Sequence, residues 1–243
     1  EAFPEWWGAE TVGVSRPATG AAQGARNAAA IVAATKSMSS AYETGKTVSF
    51  QSGIYQVSRK MSFTAANASM VTWRSVGKTT IFCDQPDGDF ALEIDFTSGS
   101  ANFVTFNMSN MVFSDILARR TKKGIKATRL IASNWTGCEF NYLSVAVDFQ
   151  SDSNLNHLDT CSFRENRIGW RSSTGSANGN VFTNCLWRYH HGTAFDSTGT
   201  DGNQIIGGAF EPYNAAPAII ADALRLAGVR IERNAADKAV IRV

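Results

Sequence analysis

Five segments of this chain share one frame at nearly one spacing, so the fold is that of a repeat before any motif is weighed. They are MSNMVF (108–113), WTGCEF (135–140), LDTCSF (158–163), FTNCLW (182–187) and IIGGAF (205–210). Each reads as a large apolar residue, any residue, a small polar residue or Gly, then Cys, Met or Gly, any residue, and a closing Phe or Trp. The closing aromatics are 27, 23, 24 and 23 residues apart. Asn156, Asn180 and Asn203 open three successive units.

The frame has a geometric meaning. Its first and third positions share the phase of an extended strand, and its fourth and sixth share a phase shifted by one. A shift of phase requires a corner between the third and fourth positions. The third position holds Asn110, Gly137, Thr160, Asn184 and Gly207, mostly the two residue types that tolerate left-handed backbone. A further apolar run follows each of three units: VAVDF (145–149), RIGWR (167–171) and GTAFD (192–196). Three short strands per 23–27 residues, with no helical pattern between them, predict an all-β, right-handed parallel β-helix over residues 46–243. An antiparallel sandwich would need paired hairpins with two-residue turns, and the repeat offers no reason for them.

Residues 1–45 read as a separate leading segment with a capping helix. ARNAAAIVAATKSMSSAYE (25–43) carries Ile31, Ala34, Met38 and Ala41 at helical spacing, with Gly45 as a stop signal. An open stack of coils exposes an edge and an apolar core, which a helix can cover.

Bulk properties exclude some functions. A net charge of +2 and a charged fraction of 18% predict no global attraction to nucleic acid or to an anionic membrane. No apolar run reaches the roughly 18–20 residues that span a bilayer. The chain begins at Glu1 with neither an initiator Met nor a signal-like stretch, as a processed or excised piece would. Its four cysteines include no CxxC pair, so no zinc site, metal or cofactor is expected. DQPDGD (84–89) lacks the spacing of a calcium loop.

At this point the sequence resembles the pectin-lyase-like β-helix superfamily, in particular bacteriophage tailspikes that degrade surface polysaccharide. FPEWWGA (3–9) resembles the aromatic-Gly-Ala motif that opens those chains, NAAAIVAA (27–34) their capping helix, and GKTVSFQSGIYQVSRKM (45–61) their first coil. The resemblance implies a phage or prophage tailspike, in a virion tail or extracellular, that binds and cleaves O-antigen or capsule as a homotrimer. The calcium-and-arginine machinery of pectate lyases has no counterpart in the sequence. A non-enzymatic receptor-binding or structural spike is the alternative, and a polysaccharide lyase a weaker one.

Glycoside hydrolysis needs two carboxylates about 5–5.5 Å apart for retention or about 6.5–9.5 Å for inversion. Aligning LEIDFT (92–97), GIKATR (124–129) and VAVDFQ (145–150) by their apolar residues predicts an outward column of Asp95, Lys126 and Asp148, with Glu93 on the same side of its strand. Asp95, Asp148 and Glu93 are therefore the catalytic candidates. Arg167, Arg171 and Asp196 extend that face, and with Lys126 they are the candidates for binding substrate. An alternating charge ladder that keeps the face soluble is the competing reading.

Glu211 follows a closing aromatic, where other coils have Ser114, Asn141, Arg164 and Arg188. It reads as a salt-bridge ladder or a sugar-binding wall, with Tyr142, Tyr189 and Tyr213 as apolar platforms. ARRTKKGIKATR (118–129) has six basic residues and no acid, which suits a solvated turn or an anionic glycan better than nucleic acid. Cys185, His190 and His191 invite a metal or nucleophile reading. The repeat instead places Cys185 in an internal thiol row with Cys138 and Cys161, and leaves the histidines at a turn.

Overall fold

The computed structural model describes residues 1–12, 21–38, 46–64, 70–97, 105–172, 174, 177–211, 217–232 and 241–242. Gly45, Ala41 and Tyr213 lie outside them. The chain forms a parallel β-solenoid of about seven turns. Each coil contributes a strand to three sheets, and apart from the strands at the two ends of the stack each pairs in parallel with the coils before and after it. One antiparallel bridge, Val12 with Ile54, ties the leading segment to the first coil. The hairpins that a sandwich requires are absent among the described residues.

The first and second sheets are joined through two long strands, Met70–Cys83 and Thr105–Ser114, which run across the corner between them. Later coils break there into pairs of three-residue strands such as Asn134–Thr136 and Glu139–Asn141. The third sheet runs, in spatial order, Met61–Thr64, Phe90–Asp95, Lys123–Thr128, Val145–Gln150, Ile168–Ser172, Phe195–Ser197, Ile219–Ala221 and Ile241–Arg242.

The corner residues behave as the frame demands. Asn110, Gly137, Thr160, Asn184 and Gly207 all have φ between 53° and 67°. Each Gly stacks directly after an Asn for a steric reason. A Cβ on Gly137 would lie 2.8 Å from Asn110 Oδ1, and one on Gly207 would lie 2.5 Å from Asn184 Oδ1. Thr160 is a β-branched residue in a region that costs most L-residues about 1–2 kcal/mol. A second corner, unsignalled in the sequence, puts Tyr142, Glu165 and Tyr189 at φ 60°, 53° and 55°.

Stacking at about 4.8 Å places like on like. Phe113, Phe140, Phe163, Trp187 and Phe210 form one column, with successive centroids 5.8, 5.1, 5.5 and 4.3 Å apart and planes within 13°. Such rings contribute about 0.5–1.5 kcal/mol per pair beyond their burial. Cys138, Cys161 and Cys185 are buried free thiols in the adjoining row, with Cys161 and Cys185 directed at the carbonyls of Trp135 and Leu158. Hydrogen bonding to Cys161, and burial, hold the Cys138 thiol well above its usual value. These cysteines are rungs of the core.

Asn156, Asn180 and Asn203 form a buried amide ladder. Ser133 N–H donates to Asn156 Oδ1 at 3.0 Å, Asn156 N–H to Asn180 Oδ1 at 3.0 Å, and Asn180 N–H to Asn203 Oδ1 at 2.9 Å. Each amide thereby satisfies a backbone group at a bend that has no strand partner.

The cap is a helix over Ala21–Met38, four residues ahead of the predicted start at 25. Gln23 extends it by hydrogen-bonding Asn27 at 2.9 Å and Arg26 at 3.0 Å, and Gly24 lets the backbone of Ser58 approach. Ala28, Ile31, Ala34 and Thr35 are buried over the first coil. The Trp73 indole N–H donates to Thr35 Oγ1 at 2.9 Å. Asn27 donates to the carbonyls of Glu10 and Gln56, which pins the leading segment and the first coil to the helix. FPEWWGA folds as a short 3-10 turn, Pro4–Trp7, closed by left-handed Gly8 at φ 89°.

His190 corrects the surface reading of the histidine pair. It is buried at the second corner, where Asn166 of the preceding coil donates to the Phe140 carbonyl and His190 Nε2 lies 3.1 Å from the Phe163 carbonyl. Burial pushes its pKa down to about 4, against that hydrogen bond.

Two outcomes follow. Thr160→Gly is expected to raise stability by about 1 kcal/mol, read from the urea midpoint. For His190, the folded value lies below that of the unfolded chain, so its contribution is present above about pH 6.5 and is lost as pH falls toward 4. Between pH 7 and pH 4 the wild type should therefore lose about 3 kcal/mol more stability than His190→Asn, at about 1.36 kcal/mol per pKa unit.

Candidate functional site

The third sheet carries a charged row on its outer face. Pairing aligns Ser62, Glu93, Lys126, Asp148, Arg171, Asp196 and Ile220 on successive strands. The predicted column thus exists, but with Glu93 where Asp95 was expected. Asp95 stands two residues further on, level with Thr64 and Thr128, and accepts from Thr97 N–H and Oγ1 at 3.0 and 2.7 Å.

The reason is the two-residue side-chain period. Sliding a strand by two keeps every side chain on its face, so apolar phase alone admits both registers. A row of small residues decides between them. Ala91, Gly124, Ala146, Gly169, Ala194 and Ala218 fall on one line across the sheet. Any Cβ on Gly124 or Gly169 would run into the carbonyl of the next strand, Ala146 or Ala194. The sequence carries this signal as small-then-large pairs (AL, GI, AV, GW, AF, AI).

Arg167 is likewise outside the row. It is exposed at the second corner, four residues ahead of Arg171, where its charge is felt by His191. Asp196 is in the row and accepts from Thr198 N–H and Oγ1 at 3.1 and 2.7 Å.

A cleft of about 340 Å³ opens over the row, lined by charged side chains and by Phe90. Lys60, Lys123, Lys126 and Arg171 face Asp89, Glu93 and Asp148 within it. Glu93 binds Lys60 Nζ at 2.7 Å and Lys126 Nζ at 3.0 Å. Burial opposes its charge, but these two ammonium groups outweigh it and hold the carboxyl below its ordinary value. Asp148 is fully buried and accepts from Arg171 Nε at 3.0 Å and Nη2 at 2.7 Å. Gln85, in the turn that walls the cleft, donates to the carbonyls of Asp89 and Lys123. Lys122 ties the same turn down through Gln85 O and Asp87 at 2.6 and 2.8 Å. The basic stretch 118–129 is thus divided between structural anchoring and the cleft lining.

The remaining candidates lie on other edges. Glu211 continues the second-sheet row Asn141, Arg164, Arg188, and sits between Arg188 and Arg230 at 3.2 Å each. Tyr189 lines a second cleft of about 420 Å³, with Arg120, Arg164, Glu165 and His191. Sequence reasoning named Arg120 and Lys123 only as part of the basic stretch and missed Glu165, Lys60 and Phe90, because segments far apart in the chain bring them together. Among the described residues no group of three His, Cys, Asp or Glu side chains is placed to hold a metal ion, and no helix is long and apolar enough to cross a membrane.

The three sheets and the two corners make the chain a right-handed parallel β-helix capped by an N-terminal helix. It matches no family model and no curated protein sequence. Among solved structures it is similar to ORF18 of Geobacillus virus E2, with a TM-score of 0.74 at 16% identity over 94% of this chain and 47% of that one. This chain therefore spans about half the length of the viral protein, and the likeness bears on fold. Lower-scoring similarities are to the A-module of Azotobacter vinelandii mannuronan C-5 epimerase AlgE4 (TM-score 0.44, 17% identity, 95% and 74% covered) and to tailspike protein 3 of bacteriophage CBA120 (0.37, 10%, 99% and 61%).

Breaking the Arg171–Asp148 pair by Arg171→Ala should cost about 3 kcal/mol, because it strands a buried charge. Adding Asp148→Asn should recover most of that loss, measured by urea denaturation.

Proposed function

We propose that this chain is the glycan-binding body of a phage or prophage tailspike. In this reading it grips a bacterial surface polysaccharide, O-antigen or capsule, along the outer face of its third sheet. The observation that carries the reading is the cleft over the charged row. It brings four cations, three carboxylates and one aromatic ring together, all but Lys60 and Asp89 on paired strands. Alternating donors and acceptors on a rigid surface suit the hydroxyls and acidic groups of a sugar chain. Phe90, with Lys123 Nζ 5.1 Å from its ring centroid, adds an apolar face. The resemblance of FPEWWGA, the capping helix and the first coil to tailspike sequences supports the phage setting, a virion-tail location and a homotrimer.

Binding is better supported than cleavage. Glu93 and Asp148 are two coils apart, about 9.6 Å along the axis, at the upper edge of the spacing for inversion. That spacing favours hydrolysis as the second reading. Against it, a general acid needs a raised pKa, whereas Glu93 is held low by two lysines and Asp148 is buried beneath Arg171.

Titrating the protein with purified O-antigen or capsule tests the reading. Lys123→Ala with Lys126→Ala is expected to weaken binding at least tenfold with the circular dichroism unchanged; unaltered binding would sink the proposal. Reducing-end release that Glu93→Gln abolishes would establish hydrolysis. Binding without release would establish a non-enzymatic spike, and an unsaturated product absorbing in the ultraviolet would establish a lyase.

A further inference from the structure

The second corner gathers features that the charged row leaves unused: one end of the basic stretch, the arginine row, a tyrosine and His191. Its cleft of about 420 Å³ is lined by Arg120, Arg164, Glu165, Tyr189 and His191, none of which lines the third-sheet cleft. We infer that this cleft is a separate binding site for an anionic sugar residue, one that bears a carboxylate or a phosphate.

Charge is the first argument. Among the described residues Glu165 is the only carboxylate lining the cleft, and two guanidinium groups share it. Arg120 donates to Glu165 Oε2 at 2.9 Å and to the Glu165 carbonyl at 2.8 Å, while Arg164 Nε lies 3.3 Å from Oε1. Arg120 is further fixed by the Ala118 carbonyl at 3.3 Å and by the Tyr142 ring, 5.8 Å from its guanidinium carbon. Arg164 pairs with Glu165 through Nε and is half exposed, so the outer edge of its guanidinium faces solvent. That edge presents the paired N–H donors that match a carboxylate or phosphate. Arg167 lies close enough to influence His191, and Arg188 stands beside Arg164 in register while paired with Glu211. The cleft is thus positive overall.

Shape is the second argument. Tyr189 is 44% exposed, yet its backbone is locked at φ 55° with its N–H on the Glu211 carbonyl at 2.8 Å. An aromatic face held by a corner offers a sugar ring a platform at little cost in conformational entropy. His191 is anchored by its N–H on the Asn166 carbonyl at 2.8 Å. Burial first, then Arg120 and Arg167, hold its imidazole below the ordinary value against the pull of Glu165. At neutral pH the imidazole beside the cleft is therefore uncharged. An arginine edge for the anion and a tyrosine face for the ring, beside an uncharged imidazole, together define an acidic sugar rather than a bare ion.

The inference rests on the glycan reading only in that the anion is carried on a sugar, so free monosaccharides test it separately. The full chain is titrated with methyl glucuronide, glucose 6-phosphate, methyl glucoside and inorganic phosphate, and the ring protons of the three histidines are followed by NMR. Glucuronide or sugar phosphate is expected to move the His191 signals and raise its titration midpoint, with the tighter of the two identifying the anion. Methyl glucoside should bind at least tenfold more weakly. Arg164→Gln and Tyr189→Ala should each weaken the acidic sugar about tenfold, while Lys123→Ala, in the other cleft, leaves it unchanged. Equal binding of glucoside and glucuronide, or no effect of Arg164→Gln, would overturn the site. Phosphate binding as tightly as its sugar ester would reduce the site to an ion site, overturning the inference. Loss of polysaccharide binding in Lys123→Ala with the His191 response intact would separate the two clefts.

Discussion

Parallel backbone pairing between successive coils is the interaction on which everything else in this protein depends. It fixes a rise of about 4.8 Å, which is also a comfortable separation for stacked rings, amides and thiols. Once one coil pairs with the next, its inward residues must lie over their counterparts. The aromatic column, the cysteine row and the asparagine ladder are three consequences of one constraint. The same constraint leaves the terminal coil with an open edge and an open core. Helix Ala21–Met38 closes that end, with Asn27 and Thr35 supplying the polar contacts.

The corners show how far side chains can follow a backbone requirement. At the first corner each Gly follows an Asn, because the Asn side chain occupies the space that a Cβ on the neighbouring Gly would need. At the second corner Tyr142, Glu165 and Tyr189 take left-handed angles without a Gly or Asn among them. These residues are larger and face outward, where the corner bends the chain away from the core. The conformational cost belongs to the bends of the coil in general, since Arg129, Ala132, Asp152 and Leu155 also take left-handed angles.

The charged row illustrates why residue identity does not establish chemistry. Glu93, Lys126, Asp148 and Arg171 alternate in sign along the coil axis, and each carboxylate is already met by a cation. Cations beside a carboxylate favour its charged form, and at Glu93 they outweigh burial. That property suits recognition of polar groups along an extended chain better than proton donation.

The 23- and 24-residue spacing, the corner at Asn110, Gly137, Thr160, Asn184 and Gly207, and the internal position of Cys185 were all determined by the sequence itself. Side-chain phase and left-handed backbone preference are local properties that repeat in register. What only the tertiary structure decided was where strands slide against each other and which distant segments meet. A two-residue slip leaves phase untouched, so Asp95 and Glu93 were equivalent until Gly124 and Gly169 met the carbonyls of the next strands. The two clefts, with Lys60 beside Lys126 and Arg120 beside Tyr189, exist only because coils bring together residues tens of positions apart. Stacking at a fixed rise imposes that proximity, and no local propensity encodes it.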